Sequence, residues 1–422
     1  MPSQLSEPAR APTATRISAC RGCGGTGLQV FLSLGELPLP DGLLREDELG
    51  RPEPRFPLDV AFCPSCSLVQ ILDEVPPATL FVENYLYFSS YSEDLLAHAR
   101  EEALALIREQ ALGTGSLVVE IASNDGYLLR NFVERGIPVL GIDPAPAQAA
   151  AATRAGIPTI GRFFGLELAH ELIAERGHAD AVIANNVLAH TPDPNDLMAG
   201  MAALVADDGV VAVENTYVRD LVDGCAFDTI YHEHFSYYSC SSIAALARRH
   251  GLFLSRVEHF PSVQGGSLRW YFRRHDEPEP SALELLRAER EDGVLDLSYY
   301  ASFAARVERL RTELLALLRR LRDEGKTIDA YGAAAKGTVL LNYAGIDDRL
   351  VDFVVDRNPY KVGLRMPGVH LPILPPAALL ERRPDYLLLL AWNWVDEIVR
   401  QQDEYRRRGG RFVVPVPEPK IL

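Results

Sequence analysis

The sequence predicts an α/β protein in which a small cysteine-rich region, a Rossmann-like domain, a helical connector and a second Rossmann-like domain follow one another. Short apolar runs alternate with helical stretches over 117–214 and again over 327–414. Strands separated by helices of that length form βαβ units and a parallel sheet. With 422 residues, the chain is also longer than one hydrophobic core usually spans, which favours several domains.

Composition and charge exclude several classes of protein. Hydrophobic residues make up 47% of the chain and charged residues 24%, as in ordinary folded proteins. The net charge of −16 repels phosphate backbones and acidic membrane surfaces. The first residues lack an apolar core of signal-peptide length, and the apolar runs are too short to cross a bilayer. We therefore expect a cytoplasmic protein without nucleic-acid or membrane partners.

Two Cys-x-x-Cys pairs, Cys20 with Cys23 and Cys63 with Cys66, stand in the region 17–75. Each pair can direct two thiolates at one ion, and tetrahedral Zn²⁺ prefers such a ligand set. A Cys₄ site has no open coordination position, so the predicted zinc is structural. Redox or unbound thiols are the alternative, but neither pair has a thioredoxin-like setting between strand and helix. Because Pro and Gly interrupt this region, we expect the metal rather than an apolar core to hold it together.

A turn follows the first predicted strand of the domain expected at 76–275. It reads Glu120-x-Ala122-x-Asn124-x-Gly126 and precedes a helix. A turn at the carboxyl end of a first strand brings backbone N–H groups and a helix N-terminus against a ligand. Dinucleotide-binding folds use G-x-G-x-x-G at this point, so the single glycine of the turn weakens a dehydrogenase interpretation.

The turn resembles motif I of class I S-adenosylmethionine-dependent methyltransferases, where it wraps the methionine part of the cofactor. Asp143 ends the second predicted strand, where such enzymes hold the ribose hydroxyls, and a carboxylate can accept both hydroxyl protons. Asn185 follows the fourth strand, and Phe163 or Phe164 either flanks the adenine or belongs to the core. The predicted residues for binding S-adenosylmethionine are Glu120, Ala122, Asn124, Gly126, Asp143 and Asn185.

A segment rich in polar and aromatic side chains follows the fifth predicted strand. It contains Tyr231, Glu233 and His234, which supply proton acceptors and donors near the expected cofactor. Metal binding by His232 and His234 is one alternative, and plain surface polarity is another. His190 follows the fourth strand, where ligands collect in open α/β sheets, although a structural histidine is an equal interpretation.

Five motifs occur in a characteristic order. They are the two Cys-x-x-Cys pairs, Tyr-Leu-Tyr-Phe-Ser-Ser at 85–90, the turn at 120–126, Asp-Thr-Ile-Tyr-His-Glu-His-Phe at 228–235 and Tyr-Gly-Ala-Ala-Ala-Lys at 331–336. In this order they resemble the sugar C-methyltransferases of deoxysugar biosynthesis, over nearly the whole chain from Cys20 onward. The chain departs from that family at Ala122, where a glycine is common, and at His232, where an aspartate is frequent.

The resemblance implies methylation at C3 of a nucleotide-linked 4-keto-6-deoxy sugar. A proton on carbon beside a ketone is acidic because the enolate spreads its charge onto oxygen, and the enolate carbon can then attack a sulfonium methyl group. The resemblance further implies that His234 is the general base, while the other catalytic residues position the keto sugar, stabilise the enolate or orient one another. The predicted catalytic residues are His234, Tyr231, Glu233, His190 and Tyr85, with Tyr87 as the alternative to Tyr85 in the active site.

A helical connector is expected at 276–325, before an α/β domain at 326–422. This last domain opens with a strand and a small-residue turn that ends at Lys336. Backbone amides at a helix start and an ammonium group suit a diphosphate, although such turns also serve packing alone. The resemblance implies that the domain helps to hold the nucleotide sugar, so Lys336 and Tyr87 are predicted to bind substrate.

Other functions stay open on the sequence. One is O- or N-methylation of a related nucleotide metabolite, with a histidine activating a hydroxyl or an amine. Another is a non-catalytic, zinc-stabilised protein that binds nucleotide sugars. A nucleic-acid methyltransferase is disfavoured by the charge of −16. The residues predict no particular oligomeric state.

Overall fold

The structure is a computed structural model that describes residues 14–81 and 87–422. Tyr85, predicted to be catalytic, lies outside the described residues. The predicted α/β architecture with two Rossmann-like sheets is confirmed. Within the described residues, no helix has the length and apolar character needed to cross a membrane.

The N-terminal region forms a small sheet that also contains a strand from further along the chain. Its elements are β1 (Thr15–Arg16), β2 (Gln29–Pro38), β3 (Arg55–Phe62), β4 (Val69–Ile71), β5 (Asp73–Glu74) and α1 (Pro77–Phe81). The main sheet has the order β11-β4-β3-β2, where β11 (Ser236–Tyr237) belongs to the central domain. The pairs β2–β3, β3–β4 and β4–β11 are antiparallel.

The expectation that metal rather than apolar burial holds this region together is wrong. Leu58 and Val60 of β3 are fully buried. The rings of Phe31 and Phe62 lie 5.1 Å and 5.4 Å from that of Tyr300, measured between centroids. Tyr300 belongs to the helical connector, so the region packs its apolar face on other parts of the chain. A short segment that cannot enclose a core alone can share one.

The central domain is a twisted sheet with helices on both faces. Its helices are α2 (Glu93–Glu109), α3 (Arg130–Val133), α4 (Pro146–Arg154), α5 (Leu166–Arg176), α6 (Pro194–Leu204), α7 (Val218–Asp223) and α8 (Cys240–Arg248). Its strands are β6 (Val118–Ile121), β7 (Val139–Ile142), β8 (Thr159–Ile160), β9 (Ala179–Asn185), β10 (Val205–Thr216), β12 (Phe253–Phe260) and β13 (Ser267–Arg273). The order is β12-β13-β10-β9-β6-β7-β8, and β13 is antiparallel to both neighbours.

Local chemistry explains several of these elements. All four residues of β6 are buried, as expected for a strand covered on both faces. Ser92 caps the N-terminus of helix α2, where its hydroxyl accepts a hydrogen bond from the N–H of Leu95.

The sequence analysis missed β12 and β13. Strand β13 carries Arg269 at a buried position, which interrupts the apolar pattern that identifies a strand.

The connector and the C-terminal domain complete the chain. The connector comprises α9 (Pro280–Glu291), α10 (Leu297–Tyr300) and α11 (Phe303–Asp323). The C-terminal strands are β14 (Ile328–Tyr331), β15 (Val354–Val355), β16 (Ile373–Leu374), β17 (Tyr386–Leu389), β18 (Arg411–Val414) and β19 (Lys420–Ile421). The C-terminal helices are α12 (Ala335–Ala344), α13 (Ala377–Arg382), α14 (Val395–Gln401) and α15 (Asp403–Arg407). The sheet order is β16-β15-β14-β17-β18-β19, parallel except for β19.

Candidate active site

A cavity of about 770 Å³ lies between the central and C-terminal domains. Residues that end or follow β6, β7, β9 and β10 line one side, and residues that end or follow β14, β15 and β17 line the other. Ligands of open α/β sheets collect at the carboxyl ends of strands, so the two sheets share one candidate site. The predicted residues that line it are Tyr87, Ala122, Asn124, Asp143, Asn185, His190, Tyr231, Glu233, His234 and Lys336.

The cysteine cluster does not line this cavity. Sγ of Cys20 lies 3.6 Å from Sγ of Cys66, and Sγ of Cys23 lies 3.6 Å from Sγ of Cys63. All four ligand atoms lie within 4.8 Å of one another. A tetrahedral Zn²⁺ with bonds of about 2.3 Å separates its sulfurs by roughly 3.8 Å, so the cluster fits a closed structural zinc site.

The motif I turn has the left-handed backbone that a tight strand-to-helix connection requires. The φ angles of Ala122, Asn124 and Gly126 are +54°, +49° and +78°. The backbone N–H of Asn124 donates to Asp143 Oδ2 at 2.8 Å, and the N–H of Ala145 donates to Asp143 Oδ1 at 2.8 Å. These bonds hold the Asp143 carboxylate at the cavity wall. The second lone pair of each oxygen can there accept a hydrogen bond from a hydroxyl group.

The side chain of Asn124 fastens another part of the chain to this turn. Its Oδ1 accepts from the N–H of Ser89 at 3.0 Å, and its Nδ2 donates to the carbonyl oxygen of Tyr87 at 3.2 Å. Gln148 Nε2 donates to the same carbonyl at 3.0 Å. Asn124 therefore shapes the cavity by holding the segment from Tyr87 to Ser89, rather than by offering a free carboxamide.

Two residues of the predicted cofactor set lie behind the cavity wall. Glu120 and Gly126 are not among the described residues that line the cavity. Gly126 allows close packing, since a Cβ atom there would lie 2.2 Å from Cδ1 of Ile157. Neither carboxylate oxygen of Glu120 has a hydrogen-bond partner among the described residues, and burial raises the pKa of Glu120 well above its usual range.

His234 has a fixed orientation in the cavity. Its Nδ1 lies 2.8 Å from the carbonyl oxygen of Thr229, which can only accept, so Nδ1 carries the proton and Nε2 keeps its lone pair. Burial, followed by the nearby His190, lowers the pKa of His234 well below 6.5. The side chain is therefore a neutral imidazole with one basic nitrogen at neutral pH.

Aromatic and imidazole rings surround His234. The centroid of the Tyr231 ring lies 4.0 Å from that of His234, and the centroid of the His190 ring lies 4.6 Å away. Nδ1 of His190 has no hydrogen-bond partner among the described residues. Burial lowers the pKa of His190 to about 4, so this ring is also neutral. The structure thus brings the three predicted side chains together.

Glu233 faces charged groups from other domains. Burial, together with the charge of Asp41, raises the pKa of Glu233 well above its usual range, and Lys361 opposes that rise. Nζ of Lys361 donates to the carbonyl oxygen of Ala333 at 2.7 Å and lies 3.7 Å from Oδ1 of Asp41. The N-terminal region and the C-terminal domain therefore both contribute charge beside the segment from Tyr231 to His234.

Lys336 is half-buried at the same end of the cavity. Its Nζ donates to Asn393 Oδ1 at 2.8 Å and lies 4.7 Å from the Trp392 ring centroid. Trp392 Nε1 in turn donates to Asp228 Oδ2 at 2.7 Å. Burial lowers the pKa of Lys336 to about 8, and Asp228 opposes the shift. The ammonium stays charged at neutral pH, and its charge contributes to lowering the pKa of His234.

Several lining residues were not predicted as site residues. The set comprises Asp41, Asn215, Asp356, Asn358 and Asn393. Asp356 accepts from the N–H of Ala333 at 2.7 Å, which ties the loop after β15 to the turn after β14. Polar side chains directly after predicted strands were a usable signal for Asp356 and Asn393. No sequence signal indicated Asp41, because it comes from a loop of another domain.

Comparison with known proteins identifies the family. The chain matches a zinc binding domain family over residues 20–81, a methyltransferase domain family over 95–257 and a C-methyltransferase C-terminal domain family over 262–417. It is 36% identical over 409 residues to the C-methyltransferase NovU of Streptomyces niveus, which covers 96% of this chain and 97% of that protein.

More distant similarities cover only part of the chain. An uncharacterized methyltransferase of Mycobacterium leprae is 26% identical over 107 residues, which is 24% of this chain and 38% of that protein. The solved magnesium protoporphyrin IX methyltransferase of Synechocystis is 16% identical, covers 43% of this chain and 79% of its own, and has a TM-score of 0.33. The near full-length match is decisive, and the chain belongs to the family of S-adenosylmethionine-dependent C-methyltransferases that includes NovU.

Proposed function

We propose that the protein deprotonates C3 of a nucleotide-linked 4-keto-6-deoxy sugar and transfers a methyl group from S-adenosylmethionine to that carbon. The observation that carries the proposal is the fixed tautomer of His234. Its Nδ1 is held by the carbonyl oxygen of Thr229, which leaves Nε2 as a base in a cavity lined also by the motif I turn. An imidazole that is neutral at neutral pH can accept a proton from carbon beside a ketone.

The residues at the central-domain end of the cavity fit S-adenosylmethionine. The carboxylate of Asp143 is oriented to accept two ribose hydroxyls. Oδ1 of Asn185 and Oδ1 of Asn215 are buried and have no hydrogen-bond partner among the described residues, as expected where a ligand supplies the donors. When bound, the cofactor supplies an electrophilic methyl group on a sulfonium sulfur.

The groups around His234 suit the stabilisation of an enolate. Nε2 of His234 would take the C3 proton, and the electron pair of the broken C–H bond would move to the C4 carbonyl oxygen. Tyr231 and His190 lie against the imidazole and can position the sugar and donate to that oxygen. The enolate carbon would then bond to the methyl group as the S–CH3 bond breaks and its electron pair stays on sulfur, which releases S-adenosylhomocysteine. The proton would stay on the imidazole until solvent removes it.

The C-terminal end of the cavity suits an anionic handle on the substrate. Lys336 and Lys361 line it, and helix α12 starts beside them at Ala335. Backbone N–H groups at a helix start together with ammonium groups favour phosphate oxygens. This arrangement supports a diphosphate-linked sugar as the substrate, with its nucleotide recognised by the C-terminal domain.

The test follows hydrogen exchange and product structure in D₂O. Wild-type protein with a nucleotide-linked 4-keto-6-deoxyhexose is expected to exchange the C3 proton and, with S-adenosylmethionine, to place the methyl group on C3, both read by NMR. His234→Asn is expected to lose both reactions, whereas His170→Asn, at an exposed position of α5, keeps both. The proton on C5, the other carbon beside the carbonyl, serves as the internal reference for hydrogen exchange.

Other outcomes identify the alternatives. A methyl group on oxygen or nitrogen would replace the proposal with O- or N-methylation. Exchange and methylation that persist in His234→Asn would show that another group is the base. A protein that binds the sugar nucleotide but not the cofactor would be a binding protein.

A further inference from the structure

A buried cluster of charged side chains lies beneath the cofactor end of the cavity. Arg269 of β13 has its Nη2 3.1 Å from Glu102 Oε2 and 2.6 Å from Glu214 Oε2. His98 Nε2 lies 2.9 Å from Glu214 Oε2. Glu102 and Glu214 are each 1% exposed, and Arg269 is 3% exposed. The cluster joins helix α2 to the ends of β10 and β13, and the function proposed above does not use it.

Both carboxylates of this cluster are ionised at neutral pH. Two carboxylates share one guanidinium, and burial raises the pKa of Glu102 only to about 6, so it is ionised at neutral pH. For Glu214, Arg269 and His98 outweigh burial and lower the pKa. Buried charges are costly unless they are paired, and here Arg269 pairs with both carboxylates while His98 lies against Glu214.

One member of the cluster touches a residue of the cavity wall. Nδ2 of Asn185 donates to Glu102 Oε2 at 2.6 Å. An ionised carboxylate accepts only, so this contact fixes which end of the Asn185 carboxamide faces Glu102. Oδ1 must be the other end, and it is buried without a hydrogen-bond partner among the described residues. Asn185 lines the cavity beside the motif I turn, because β9 and β6 are neighbours in the sheet.

We propose that Glu102 is a positioning residue for the cofactor: it orients Asn185 so that the Asn185 carbonyl oxygen accepts a hydrogen bond from the α-ammonium group of S-adenosylmethionine. A carbonyl oxygen accepts from an ammonium, whereas the amide nitrogen of a flipped Asn185 would repel it. The proposal rests on the cofactor position given under the proposed function, and it is independent of the sugar substrate.

The test measures ligand binding without any methyl transfer. S-Adenosylhomocysteine carries the α-ammonium group, and 5′-methylthioadenosine lacks the amino-acid part. By isothermal titration calorimetry, Glu102→Gln is expected to weaken S-adenosylhomocysteine about tenfold and to leave 5′-methylthioadenosine within twofold of wild type. The matched control is Glu109→Gln, which removes a carboxylate from the same helix at a partly exposed position paired with Arg256.

A compensating pair of substitutions separates orientation from general damage. In Glu102→Gln, the new amide can donate to Asn185 and turn the amide nitrogen of Asn185 toward the cavity. In the double variant Glu102→Gln with Asn185→Asp, the carboxylate at 185 can accept from Gln and also from the ammonium. We therefore expect the double variant to recover most of the lost affinity for S-adenosylhomocysteine.

Several results would overturn the proposal. Equal loss of both ligands in Glu102→Gln, or unchanged binding of S-adenosylhomocysteine, would each do so. If Glu102→Gln does not fold by circular dichroism, Asn185→Ala decides, since the same selective loss is expected and unchanged binding would refute the role. Wild-type protein that binds neither ligand would instead refute the cofactor position of the proposed function.

Discussion

Gln70 and Ser236 are register partners in the antiparallel pairing of β4 with β11. Gln70 Nε2 donates to Sγ of Cys20, a zinc ligand, at 3.2 Å. Phe235, between Ser236 and His234, is held from two sides: its carbonyl accepts from Ile71 at 3.1 Å and its N–H donates to Ala189 at 2.7 Å. The sheet of the zinc-binding region thus continues into the segment that carries His234.

Removal of the zinc is therefore expected to reduce methyl transfer, although the metal does not line the cavity. Cys63→Ser, or treatment of the wild type with a strong chelator, should lower activity at least tenfold and lower the thermal unfolding midpoint, because metal binding contributes directly to folding. Zinc content, activity and circular dichroism check this. Cys225→Ala, at a buried cysteine outside the cluster, is the control. Full activity in protein depleted of zinc would contradict the prediction.

The pH dependence of the reaction should reflect the lowered pKa of His234. In the proposed function the neutral imidazole is the base, so activity should be present above the pKa of His234 and should be lost as the pH falls through it. Burial lowers that pKa below 6.5, which places the acidic limb of kcat/KM below pH 6.5. Rates of C3 hydrogen exchange between pH 5 and pH 9 measure it. A limb centred at or above pH 6.5 would show that the imidazole is not shielded from water.

Lys336 is expected to set an alkaline limit. Burial lowers its pKa to about 8, so the ammonium loses its charge as the pH rises through that value. The KM for the nucleotide sugar should therefore rise above about pH 8 in the wild type. Lys336→Arg should shift this rise to higher pH, because a guanidinium stays charged.

Below about pH 8, Lys336→Met should raise that KM about ten- to a hundredfold, with a smaller effect on kcat, and the difference from the wild type should narrow at higher pH. Lys326→Met, at a partly exposed lysine of the same domain, should leave KM unchanged. An unaltered KM in Lys336→Met would exclude the lysine from substrate binding.

The turn before Lys336 depends on a glycine. Gly332 has φ +98°, and a Cβ there would lie 2.8 Å from Cβ of Ala391 and 3.2 Å from its backbone nitrogen. Gly345 follows the end of helix α12, the helix that this turn enters. It has φ +70° but open space around it. Gly345→Ala should cost about 1 kcal/mol of unfolding free energy through backbone strain alone.

Gly332→Ala should cost about 1–3 kcal/mol more, because Ala391 must move as well. It should also weaken binding of the nucleotide sugar, since the turn precedes Lys336. Urea unfolding and calorimetric titration of the two variants measure both effects. Equal stability of the two variants would mean that the turn relaxes without cost.

The sequence by itself determined the features that depend on local chemistry. The spacing of Cys20, Cys23, Cys63 and Cys66 predicted a closed zinc site, because thiolates in two tight turns can surround one ion. The buried strands and the turn from Glu120 to Gly126 predicted a Rossmann-like fold and a cofactor site. These patterns can be recognised in the sequence because apolar runs, turn residues and ligand spacing are properties of short segments.

The tertiary structure alone decided which distant side chains meet. Asp41, Lys336 and Lys361 reach the site of His234 from two other domains, and Asn185 is oriented by Glu102 from a helix far earlier in the chain. Strand β13 was missed because the charged Arg269 interrupts its apolar pattern. The charge of Arg269 is neutralised by partners that only the folded chain supplies. Contacts of this kind depend on how domains pack and share a core, and no local pattern records that packing.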